Sequence, residues 1–259
     1  MQAYIKTDQQ IHQLCQIIAK ANRSYVPKKA DDSHTNLYYD ALADRVVGRW
    51  LSGDQRLLLT INLRDYSFEL LNDQLQSQQV YPIAGKTSEA LEVAIEKDLA
   101  AAGFDTSGFR AELHFKIPAY DFRQMPFDAP EGKGLDQWRQ LRRQASEACA
   151  ALLGHWQVDG EVRIWPHHFD TGIYAKVTER IGIGFGLAMA DGMIEVPYYY
   201  LSGYPSSGSI DYGTVPDLPK GEWKIGKHWK GAVLRAEYTV SDITLNDFIM
   251  AANHFFLDQ

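Results

Sequence analysis

Two cysteines in 259 residues leave little room for a disulfide framework. Cys15 and Cys149 fall on the apolar faces of expected helices, which predicts buried free thiols of the kind a reducing compartment keeps. Neither has a histidine or a basic residue arranged to activate it. Long apolar runs are missing too. No window approaches the ~20 apolar residues of a membrane-spanning helix, and the polar opening M-Q-A-Y-I-K-T-D-Q-Q has no signal-peptide core. The expectation is a cytoplasmic protein with no membrane partner. Positive charge is scarce: 26 Lys and Arg stand against 33 Asp and Glu, for a net −7. That argues against nucleic acid as a partner, because such affinity depends on cations meeting phosphates. The one basic cluster, Arg139, Arg142 and Arg143, reads as a solvated helix face.

Familiar catalytic motifs are absent as well. Ser33 beside His34 lacks the flanking glycines of a nucleophile elbow. Gly182, Gly184 and Gly186 are spaced G-x-G-x-G with no helix opening after them, which is not a dinucleotide fingerprint. Three glycines on one strand face imply instead that something approaches that face closely, with a packed helix the first expectation.

What is present is an ordinary globular balance, 45% hydrophobic and 23% charged. The periodicity predicts an α+β fold. A helix over 8–22, with Asp8 as cap or first-turn acid, precedes short antiparallel strands near 46–51, 56–63, 66–71 and 79–83, with turns at Gly53-Asp54, Leu63–Asp65 and Asn72-Asp73. Ser88 caps a second helix that ends at Gly103, and Ala111–Ile117 alternates like a further strand. Residues 119–134 read as a linker between an N-terminal half (1–118) and a C-terminal half (135–259). The second half carries a helix through Trp138 and Leu152, strands near 161–166, 170–177, 180–189, 193–201 and 231–240, and a last helix over 245–256. Both halves thus read as α–antiparallel-meander–α, and an internal duplication is one reading of their echo: His34 and Asn36 before Arg45-Val46 match His168 and Asp170 before Arg180-Ile181.

The chemistry concentrates in E-V-R-I-W-P-H-H-F-D-T-G-I, residues 161–173. Strand alternation carried through this stretch puts His168 and Asp170 on one face, close enough to share a proton or a metal ion. At D-x-S-H-T-N-L, W-P-H-H-F-D, I-G-I-G, P-Y-Y-Y-L and L-P-x-G-x-W…W-K-G-A-V-L, over about residues 30–240, the chain resembles a family of bacterial proteins with no assigned activity. The resemblance implies that Asp32, Ser33, His34, Asn36, His167, His168 and Asp170 belong to that family's distinctive segments.

Two functions follow as expectations. One is a small-molecule-binding protein whose pocket lies at the junction of the halves. Asp32, Ser33, Asn36, Trp165, His167, Phe169, Tyr198 and Tyr200 would line it, and the aromatic segment 202–230 would cover it. The other is an enzyme, a hydrolase or non-haem iron oxygenase, with His34, His168 and Asp170 as catalytic groups or as ligands of a divalent metal cofactor. A variant of the iron reading recruits His228 beside His168 and Asp170, with Arg235 for a cosubstrate carboxylate. His12, His155 and His254 read as structural, and His114 as a partly buried strand residue.

Overall fold

The computed structural model describes residues 1–53, 55–236 and 241–259. Asp54 of the expected Gly53-Asp54 turn, and the end of the strand expected over 231–240, lie outside the described residues. Among the described residues four helices and two antiparallel sheets make an α+β fold. They form two compact units, Gln2–Arg139 with Ile164–Phe169, and Gln140–Arg163 with Asp170–Gln259 and Met1. These are called the N-terminal and C-terminal units below.

In the N-terminal unit, α1 (Gln2–Tyr25) is longer at both ends than the apolar stripe predicts. No proline or glycine interrupts it before Pro27, and Tyr4 buries its first turn. Strands β1 (Tyr38–Asp40), β2 (Arg45–Leu51), β3 (Leu57–Asn62), β4 (Ser67–Leu71) and β5 (Ser77–Pro82) lie side by side in chain order. Val46 pairs with Ile61, and Ile61 with Phe68, so one sheet face is continuously apolar. α1 lies against it at Gly48, where a Cβ would stand 2.6 Å from Ile18 Cγ2 and 2.9 Å from the Leu59 carbonyl. Helix α2 (Ser88–Ala101) is capped by Thr87, one residue before the expected Ser88; the Thr87 hydroxyl accepts the Ala90 N–H.

Two expected features of this unit take other forms. Ala111–Ile117 is not a strand. The Arg23 guanidinium reaches the carbonyls of Gly108, Phe109, Ala111 and Glu112 at 2.8–3.3 Å, so these acceptors are committed to a side chain instead of a ladder. Residues 119–134 are docked: Tyr120 and Phe127 are buried, and Phe127 exchanges backbone bonds with Gly85 and Lys86. Helix α3 (Gly132–Trp156) starts inside that stretch, and the division between the units falls within the helix.

The C-terminal unit holds most of α3, β7 (Thr171–Lys176), β8 (Ile181–Ala188), β9 (Tyr198–Pro205), β10 (Glu222–Ile225), β11 (Lys230–Arg235) and α4 (Asp242–Leu257). With β6 (Arg163–Ile164) the sheet order is β10-β11-β9-β8-β7-β6, so β11 separates β9 from β10 and the sheet does not repeat the first one strand for strand. One face, with Ile173, Ile183, Phe185, Leu187 and Leu201, is buried. Segment 202–230 is built rather than structureless. It contains the end of β9, a 3-10 turn at Tyr212–Thr214, and β10. Trp223 and Tyr212 set their rings against Phe255 and Phe256 of α4, with Trp223 4.9 Å from Phe255. Both rings are half-buried against α4.

The glycine face of β8 is filled by tyrosines from its neighbour strands, not by the helix the sequence leads one to expect. A Cβ on Gly186 would meet the Tyr200 hydroxyl at 2.9 Å, and one on Gly184 the Tyr204 ring at 3.3 Å; Gly182 lies under Tyr174.

Candidate functional site

The two segments singled out in the sequence meet in the N-terminal unit. Leu37 N–H donates to the Ile164 carbonyl at 2.9 Å, and Ile164 N–H donates back at 2.7 Å. This backbone pair joins S-H-T-N-L directly to I-W-P-H-H-F. Beyond Ile164 the chain stops being a strand. Pro166 has no N–H to offer a ladder, Phe169 N–H turns back onto the Trp165 carbonyl at 2.6 Å, and Phe169 takes φ 55. The period-2 alternation expected through 165–170 is therefore broken, and with it the reason for His168 and Asp170 to share a face.

Helix α1 holds this turn with a polar stripe at i, i+4 and i+8. Asp8, His12 and Gln16 are all buried. Asp8 is no cap; its Oδ1 accepts from the Trp138 indole N–H at 2.8 Å. The Pro166 carbonyl receives His12 Nε2 at 2.9 Å and Gln16 Nε2 at 2.8 Å. A carbonyl can only accept, so His12 carries its proton on Nε2, and Nδ1 accepts from the Tyr120 hydroxyl at 2.7 Å. Phe169 stacks on His12 at 4.8 Å and lies beside Trp138 at 6.4 Å. His12 is structural, as expected, and Phe169 is a core residue with no exposure. Trp165 is half-buried.

The turn Ser33–Thr35 is fixed from the other side. Asn22 of α1 donates to the Thr35 and Asn36 carbonyls at 3.4 and 3.2 Å and accepts the Arg49 N–H of β2 at 2.9 Å. Asp32, with φ 54, opens the turn, and its carboxylate lies 3.3 Å from His114 Nε2. His114 is thus an exposed partner of Asp32 and not a strand residue. Phe115 touches both His114 and His167, with centroids at 5.0 and 5.4 Å, and His167 adjoins the exposed His168 at 4.4 Å. Among the described residues no direct contact joins His34 to His168. The Leu37–Ile164 bridge and this run of rings connect their segments.

Within this frame Ser33 Oγ and Asn36 Nδ2 are buried and have no hydrogen-bond partner. Asn36 Nδ2 is the one side-chain amide nitrogen so placed among the described residues. His34 is buried between them, 3% exposed, with Nδ1 accepting the Lys29 N–H at 3.4 Å, which leaves the Nε2 proton as a donor. Burial pushes the His34 pKa below its ordinary value. Lys28 and His114 push the same way, against Asp32 and Asp31. Between the lowered folded value and the ordinary 6.5, the unfolded chain holds more protons, so His34 makes stability rise with pH there and withdraws it on acidification. Thermal melts from about pH 7.5 to about pH 5.5 should show the wild type losing stability on acidification, and His34→Gln losing distinctly less.

No family model matches this chain, and neither a curated protein nor a solved structure is detectably similar to it. The site has to be read from its own chemistry.

The remaining candidates lie in the C-terminal unit. Asp170 Oδ2 accepts from the Tyr200 hydroxyl at 2.5 Å, while Asp170 Oδ1 is buried without a partner. Burial and then the Asp170 charge hold the Tyr200 hydroxyl well above its usual pKa, so it stays a donor. Tyr198 donates to Asp191 Oδ2 at 2.7 Å. Both cysteines are buried and outside any disulfide, and burial pushes the Cys149 thiol up, which suits an inert side chain. Among the described residues no group of three or more His, Cys, Asp and Glu side chains could hold a metal ion. His34, His168 and Asp170 therefore do not assemble as the expected metal centre, nor do His168, Asp170 and His228. His34 Nδ1 faces a backbone N–H, and Asp170 is engaged by Tyr200.

Of the residues that organise the site, Gln16 and Asn22 went unremarked in the sequence, Asp8 was read as a cap or first-turn acid, and His12 as structural without its partners. A signal was there: three polar side chains four apart on a helix whose intervening stripe is Ile11, Leu14, Cys15 and Ile18.

Proposed function

We propose that this chain is a small-molecule-binding protein whose ligand sits against the turn Ser33–Asn36 and the turn 165–168 of the N-terminal unit. The observation that carries the reading is the buried, partnerless pair Ser33 Oγ and Asn36 Nδ2. A buried polar group without a partner destabilises a fold by about 1–3 kcal/mol. Here two such groups share one turn that Asn22, the Leu37–Ile164 bridge and Asp32 hold in place. A hydroxyl, an amide N–H and the His34 Nε2 proton form a donor set, and Lys28 lies near enough to act on His34. Such a set favours a ligand rich in acceptor oxygens, a carboxylate or a phosphate ester.

The test is NMR titration of the backbone amides of residues 33–37, which wild type and variant both carry, with inorganic phosphate, citrate and glucose. Saturable shifts with an anion, abolished in Asn36→Asp, are expected, since that change puts an acceptor where the donor stood. Absence of any saturable shift with all three probes, or equal anion binding by Asn36→Asp, would overturn the proposal.

A further inference from the structure

A second site lies in the C-terminal unit, between α3 and α4. Gln144 Nε2 donates to Asp242 Oδ1 at 2.7 Å, and twelve residues along α3 the Trp156 indole donates to Asn253 Oδ1 at 2.8 Å, eleven residues along α4. At about 1.5 Å per residue these advances nearly match, so the helices run parallel and are pinned at both ends. The Gln144 amide is itself oriented, because its Oε1 accepts from Tyr199 at 2.6 Å.

Between the two pins the helices leave a groove of about 350 Å³. Its floor is Leu152, Leu245 and Ile249, all buried, with the small Ala148 beside them. Its rims are two rows spaced i, i+4 and i+8: Glu147, Ala151 and His155 on α3, and Asp242, Asn246 and Met250 on α4. The size falls in the range of pockets that take small ligands. Two carboxylates stand on the rims, and among the described residues no lysine or arginine lines the groove.

From this geometry we propose that the groove binds an amphiphilic amine. The apolar body of the ligand lies on Ala148, Leu152, Leu245 and Ile249, and its ammonium group lies between Glu147 and Asp242. The apolar floor supplies most of the attraction and the carboxylates set the sign of charge accepted. The site is separate from the Ser33–Asn36 turn, so either proposal can fail without the other.

Hexylamine, hexanol and hexanoate serve as probes, followed by NMR of the Ala148, Ala151 and Ile249 methyl groups. Hexylamine should give saturable shifts confined to the groove, with hexanoate about fivefold weaker or more, as an ion pair worth about 1 kcal/mol implies. Ala151→Trp, at an exposed position, should fill the groove and remove binding. Glu147→Lys, also exposed, should weaken hexylamine and strengthen hexanoate while leaving the fold intact. Absence of saturable hexylamine shifts, unchanged binding by Ala151→Trp, or equal affinity for amine and carboxylate in the wild type would each overturn the proposal.

Discussion

Trp138→Ala is expected to destabilise the protein by roughly 3–5 kcal/mol, the range for truncating a fully buried large aromatic. Trp138 has no exposed surface. It meets Tyr39 edge-on at 5.2 Å and Phe169 face-on at 6.4 Å, so its removal opens a void where the W-P-H-H-F turn is seated. It also withdraws the indole N–H from Asp8, a carboxylate that is 1% exposed. Trp138→Phe separates the two effects. It retains most of the packing and should lose only about 1.5–3 kcal/mol, the value of a hydrogen bond to a charged group. Urea unfolding of the three proteins checks this. If Trp138→Phe is as damaging as Trp138→Ala, the bond to Asp8 outweighs the packing, and the void is not the main cause of the loss.

The glycine face of β8 gives the second large effect. Gly186→Ala should destabilise by about 2–3 kcal/mol, whereas Gly184→Ala should change stability by less than about 1 kcal/mol. The same methyl group is added two residues apart on one face. At Gly186 it would lie 2.5 Å from the Thr171 carbonyl and 2.9 Å from Gly172 Cα, neither of which can yield without breaking the β7–β8 register. It would also press on the Tyr200 hydroxyl and strain its bond to Asp170. At Gly184 the nearest atom is the edge of the Tyr204 ring at 3.3 Å, a ring that is nearly half exposed and can swing away. Equal losses at the two positions would mean that an intrinsic strand preference, and not the Tyr200 contact, accounts for the glycines.

The first meander was legible because its strands are short apolar runs bounded by turns that carry Asn and Asp; β3, β4 and the expected strands there agree within a residue or so. β10 was not, since Glu222–Ile225 is four residues long inside a segment rich in glycine and proline, and a strand that short has too little period to detect. The failure at Ala111–Ile117 has a different cause. Its alternation is genuine, but Arg23, nearly ninety positions earlier, claims the neighbouring carbonyls, and no local pattern reports that. Likewise the glycines announced a close approach but not its source: register opposes Gly186 to Tyr200 and Gly182 to Tyr204, and register is a property of the folded sheet. At the candidate site the sequence pointed to the right two segments through their unusual composition. It misjudged the geometry of the second, because Pro166 turns the chain away from the strand that Val162 to Trp165 begin.

The return of Ile164–Phe169 to the N-terminal unit has a consequence for synthesis on the ribosome. A nascent chain ending at Arg139 already carries five strands, α1 and Trp138, yet it lacks the residues that Leu37, His12 and Gln16 bind. At typical elongation rates those residues follow about 2–6 s later. During that interval the donors of α1 and the edge beside Leu37 face water or other chains. Refolding of fragments ending at Arg139 and at Asp170 should differ sharply in aggregation, and a peptide spanning residues 161–170 added in trans should rescue the shorter one. The histidine turn would then be the clasp that closes the first unit as well as a wall of the proposed binding site.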